Sequence, residues 1–146
     1  MPRSESPGDA WAKGLFLAYC AFMLTITLFL FPGDHPPPNL VPFRSIVHDV
    51  TAGGRRDFVV NFLGNMIAFI PFGYLYPFAR GAAGRFWEPV LFCAWFSAII
   101  EVAQYLSGRR VADVDDLILN TLGGLVGFGV YLLVRRSKAR KLRHDD

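Results

Sequence analysis

The sequence predicts an all-α membrane protein, a bundle of four transmembrane helices with one long outer loop that carries a short interfacial helix. Two observations predict it. Hydrophobic residues make up 53% of the chain and charged residues 18%, with a mean hydropathy of +0.33, a balance outside that of ordinary soluble domains. Four stretches, residues 14–31, 58–79, 89–107 and 117–134, then approach or exceed the roughly 18 apolar residues that mark a spanning helix. A third observation turns the bundle into a candidate site. Glu101 lies inside the third apolar run, and a carboxylate at that depth costs roughly 3 kcal/mol on insertion scales, so it must face protein, water or a counter-charge.

Taken in order, residues 1–13 form a short polar tail. The first span has an apolar core longer than a signal peptide's and no small-residue cleavage site after it, so it reads as an uncleaved anchor. The connection over residues 32–57 is the only long one. Pro36, Pro37 and Pro38 stiffen its start, and Phe43, Ile46, Val47 and Val50 then recur at helical spacing, which predicts a short amphipathic helix lying in the outer interface. His48 falls on the polar face of that helix and reads as solvated. In the second span Pro71 and Gly73 predict a kink. The fourth span carries Gly123 and Gly127 at the spacing of close helix contact, within the bundle or across a homo-oligomer. Residues 135–146 form a basic tail.

Orientation follows from Lys and Arg. With both termini inside, ten of the fifteen basic residues face the cytoplasm and five, Arg44, Arg55, Arg56, Arg109 and Arg110, face out. The tail's charge is a topology signal and a contact for anionic membrane lipids, and nucleic acid is not an expected partner. Cys20 and Cys93 lie in apolar runs and read as small buried hydrophobes. The sequence has no zinc-ligand spacing, phosphate-cradling glycine loop or serine-nucleophile elbow, so no metal or cofactor is expected, and the short tails leave no room for a separate soluble catalytic domain.

Topology converts positions into depths. Asn61 and Asn65 fall one to two turns below the outer end of the second span, roughly 5 to 10 Å down at the helical rise. Glu101 and Gln104 lie near the outer end of the third span, and Asp113, Asp116 and Asn120 open the fourth. Within each segment these residues are three or four apart, so each helix offers one polar face. Three such faces at one depth predict a shared pocket, in which Asn61, Asn65, Glu101, Gln104, Arg110, Asp113, Asp116 and Asn120 are the candidate binding residues, with Arg110 folding over the mouth. Asp115 reads as a helix cap, a role open to Asp113 and Asp116 as well. The amides would equally serve as interhelical hydrogen-bond glue.

The motifs resemble those of the VanZ-like family of bacterial membrane proteins. The resemblance rests on Asn39, Leu40, Pro42 and Phe43 in the outer loop, on Asn61, Asn65, Phe69, Pro71 and Gly73 in the second span, and on Glu101, Gln104, Arg110, Asp113, Asp116, Asn120 and Gly123 across the third connection. It implies a multi-pass protein of the bacterial cytoplasmic membrane. The founding member is associated with low-level resistance to the glycopeptide teicoplanin, whereas many relatives lack any resistance context.

Three functions compete. The leading one is a polar site at the outer leaflet that binds a cell-envelope lipid, a lipid-linked cell-wall precursor or a lipophilic glycopeptide, with Arg110 meeting a phosphate or carboxylate and the amides meeting sugar or peptide groups. The second is a membrane enzyme acting on a lipid or polyprenyl substrate, with Glu101 as general acid or base and Asp113 or Asp116 assisting. The third is proton-coupled transport through Glu101, which ranks last because the inner half of the bundle offers no polar relay.

Overall fold

The computed structural model describes residues 7–30, 37–80, 85, 87–108 and 112–142. The tail before Pro7, the Pro36 start of the long connection, Arg109, Arg110 and Arg143 lie outside the described residues. Helix α1 (Pro7–Thr25) runs on into a π-helical stretch, Ile26–Leu30. Helix α2 (Arg44–Thr51) is the short element of the long connection. Helix α3 (Arg55–Arg80) opens with one turn, passes through a second π-helical stretch, Phe58–Leu63, and continues as an α-helix. Helices α4 (Glu88–Ser107) and α5 (Val114–Leu142) complete the bundle. Four of the five are long and apolar enough to cross a membrane.

The spans differ from the sequence reading mainly at their ends. Helix α5 does not stop at residue 134 but continues into the basic segment as far as Leu142, because Arg, Lys and Ala are strong helix formers and nothing there breaks the ladder. Phe43 precedes α2 rather than opening it, with φ 67°. Pro71 and Pro77 both lie within continuous helix, and the π-helical stretch of α3, Phe58–Leu63, precedes them.

Helix α3 is the centre of the bundle and packs most extensively on α5. The reason is the glycine stripe. A Cβ placed on Gly123 or Gly127 would overlap the carbonyl oxygens of Met66 and Ile70, and one on Gly73 would overlap that of Gly124. Backbone therefore meets backbone, as small residues permit in helix pairs within a bilayer. Gly123 and Gly127 thus meet the backbone of α3 inside the chain.

On its other side α3 meets α1 and α4 through aromatics. Phe16, Phe69, Phe72 and Phe96 are buried, with ring centroids 5.0 Å apart for Phe16 and Phe72 and 4.9 Å for Phe72 and Phe96. Tyr19 adds one directional bond, donating to the Ala68 carbonyl at 2.7 Å. This apolar plug fills the middle of the bundle. Among the described residues, the buried carboxylate and amide residues Asp49, Glu101, Gln104, Asp115, Asp116 and Asn120 lie toward one end, the polar end.

Candidate functional site

At the polar end the start of α5 organises everything around it. Asn39, in the long connection, forms a short parallel bridge with Asp113: its N–H donates to Ala112 O and its carbonyl accepts from Val114 N, each at 3.0 Å. The Asn39 amide donates to Asp113 Oδ1 at 2.9 Å and to Ser45 Oγ at 3.0 Å. Ser45 donates its hydroxyl to Asp113 Oδ2, and the Asp115 N–H donates to Asp113 Oδ1 at 2.8 Å. Asp113 is therefore both the cap of α5 and the clamp on the connection.

Asp115 does more than sequence reasoning assigns it. Its side chain, only 1% exposed, reaches across to the start of α2 rather than capping its own helix. Oδ1 accepts from Phe43 N at 2.5 Å, while Oδ2 accepts from Ser45 N at 2.7 Å and Ile46 N at 3.1 Å. A helix N-terminus leaves such N–H groups unpaired and carries partial positive charge, so a buried carboxylate is the natural partner. It also holds Phe43 in the left-handed region that a bulky residue otherwise avoids. Helix α2 is thus pinned with its polar side on the bundle, while Phe43, Val47 and Val50 stay exposed, the pattern of an interfacial helix.

Glu101 is buried and supports the same corner: its Oε2 accepts the backbone N–H of Asp113 at 2.8 Å. Asn65 donates to Asp116 Oδ1 at 2.5 Å, linking α3 to α5. Beneath α2 these elements enclose a cavity of about 320 Å³, whose polar lining includes Arg44, His48, Asp49, Asn61, Asp113 and Asp116. His48 is largely exposed and stands 3.4 Å from the buried Asp49. The lining is acidic: Asp49, Asp113, Asp115 and Asp116 face Arg44 and His48.

The predicted residues therefore divide. Asn61, Asp113 and Asp116 line the cavity, and Asn65 and Glu101 hold its walls. Gln104 does not join them; its Nε2 donates to the Thr27 carbonyl in the π-helical stretch of α1 at 3.1 Å, where the widened turn leaves carbonyls available. Asn120 likewise turns to Ser97 Oγ at 2.8 Å inside the α4–α5 contact. These two are interhelical glue, which corrects the expectation of one pocket shared by all the polar faces. Arg110 lies outside the described residues. Sequence reasoning missed Arg44, Ser45 and Asp49 as site residues, although the helical spacing of α2 already placed all three between its apolar positions.

Residues 16–135 match the VanZ/LLP1 family. The chain is also 27% identical over 142 residues to Protein VanZ of Enterococcus faecium, an alignment covering 92% of this chain and 81% of that protein. No solved structure matches it. With four apolar helices and a family match running from the first of them into the last, this chain belongs to the VanZ/LLP1 family of multi-pass membrane proteins.

Proposed function

We propose that the polar-end cavity faces the outside of the bacterial cytoplasmic membrane and holds the head group of a cell-envelope lipid, with a lipid-linked cell-wall precursor as the leading ligand. The observation that carries this reading is that Arg44 and Asn61 line the cavity with no side-chain hydrogen bond or ion pair among the described residues, while Asp113, Asp115 and Asp116 are anchored to backbone and amides. Donors left available over an acidic wall suit a group that is rich in hydroxyls, amides or an amine and also carries an anionic oxygen for Arg44. The outward assignment rests on the basic residues, since Arg80, Arg85, Arg135, Arg136, Lys138, Arg140 and Lys141 all belong to the opposite end. The exposed apolar side of α2 would sit among the outer acyl chains and lead a lipid to the cavity mouth.

Kinship with Protein VanZ brings a link to glycopeptide resistance of the teicoplanin type into the same reading. A protein that holds a lipid-linked precursor, or a lipophilic glycopeptide, at the outer surface changes how much of either reaches its target. Chemistry at Glu101 is less favoured, because one of its oxygens is engaged by the Asp113 backbone N–H and the side chain is not part of the cavity lining. Proton transport is disfavoured by the aromatic plug between the cavity and the basic end.

Fluorescent lipid-linked precursor titrated into purified protein in nanodiscs tests the proposal. Arg44→Ala and Asn61→Leu are each expected to weaken binding about tenfold, the equivalent of roughly 1.4 kcal/mol, with thermal stability unchanged. Equal affinity in wild type and both variants removes the precursor assignment, and displacement by teicoplanin but not by excess unlabelled precursor transfers the site to the glycopeptide.

A further inference from the structure

The opposite end of the bundle carries two hollows that meet at two residues. Arg80 and Tyr76 line both. The smaller, about 150 Å³, lies between the end of α3, the start of α4 and the basic part of α5, and three guanidiniums, Arg80, Arg85 and Arg135, face one carboxylate, Glu88, across it. Arg80 Nε is 3.6 Å from Glu88 Oε2 and Arg85 lies over the Trp87 ring at 5.1 Å, whereas Arg135 has no acidic partner among the described residues. The larger, about 320 Å³, runs between α1, α3 and α4 and is lined mainly by Phe16, Leu17, Ala79 and Phe92, with Lys13 at its rim.

From this arrangement we infer a second binding site, for one anionic phospholipid, with its phosphate among Arg80, Arg85 and Arg135 and an acyl chain in the groove between Phe16, Leu17 and Phe92. Charge complementarity selects the occupant. The polar hollow keeps a surplus of two positive charges after Glu88 is counted against the three guanidiniums, and planar guanidiniums fit phosphate oxygens in pairs. The groove joined to it through Arg80 is apolar, as a lipid chain requires and a soluble anion does not. The aromatic plug separates this site from the polar-end cavity, so it stands independently of the function proposed above.

The test is lipid retention by the full chain, read by native mass spectrometry of detergent-purified protein titrated with dioleoyl phosphatidylglycerol or dioleoyl phosphatidylcholine. Retention of the anionic lipid is expected to exceed that of the zwitterionic one about tenfold and to fall by about that factor in Arg80→Gln and Arg135→Gln, while Arg140→Gln, which removes the same charge farther along the tail, leaves it unchanged. Should Arg80→Gln fail to fold, Arg85→Gln takes its place beside Arg135→Gln. Equal losses in Arg140→Gln and Arg135→Gln, equal retention of the two lipids, or complete displacement by millimolar inorganic phosphate would each overturn the proposal, the last by reducing the site to one for phosphate alone.

Discussion

Replacing Asp115 with alanine is expected to release α2 from the bundle. The carboxylate is buried and accepts three backbone N–H groups from Phe43, Ser45 and Ile46, and each donor left without a partner in a buried setting costs about 1–3 kcal/mol. The helix avoids that cost by undocking, so the loss is read as docking free energy of about 3 kcal/mol or more. Amide hydrogen exchange over residues 43–51 measures it. More than a hundredfold faster exchange is expected there in Asp115→Ala, with the protection of α4 retained. Asp115→Asn keeps an acceptor oxygen without the charge and should fall between the two. The cavity beneath α2 is lost with the docking, so binding at the polar end should fail together with the protection.

The second large effect lies in the glycine stripe. Gly127→Val is expected to prevent α3 and α5 from closing, since its first side-chain carbon already overlaps the Ile70 carbonyl, and the atoms it meets are main chain and not the far end of a flexible side chain. Overpacking costs typically 1–3 kcal/mol, and contact with rigid main chain places this substitution at about 3 kcal/mol or above. Gly129→Val supplies the control, because nothing lies within 4 Å of a Cβ built there. Thermal unfolding of the purified proteins in mild detergent should show Gly127→Val severely destabilised or unrecoverable and Gly129→Val close to wild type. Similar losses in both would mean that β-branching in the helix, not close approach, sets the penalty.

The spans were legible because length and apolarity are one-dimensional properties, and the polar stripes were legible because helical spacing fixes which residues share a face. Partners were not. Nothing in the spacing of Asp115 reveals that it reaches a helix more than sixty residues earlier in the chain. Gln104 reads as a pocket residue until the π-helical stretch of α1 is seen to present the Thr27 carbonyl, and such a stretch has no signature in apolar periodicity. Asn120 shared the stripe of Asp113 and Asp116, yet one turn of depth moved it from the cavity wall to Ser97. The positions on which the resemblance rests thus serve two physical ends: Asn39, Asn61, Glu101, Asp113 and Asp116 build the cavity, whereas Gly73, Gly123 and Asn120 hold the helices close enough to build it.

Whether the cavity opens to the external face, as proposed, can be measured at Asn61. In cells carrying Asn61→Cys, a membrane-impermeant thiol reagent added outside should label the protein without permeabilisation, above the background of wild type, whose Cys20 and Cys93 lie within the spans, and added lipid-linked precursor should slow that labelling. Labelling that appears only after the membrane is opened would place the polar end inside and contradict the account.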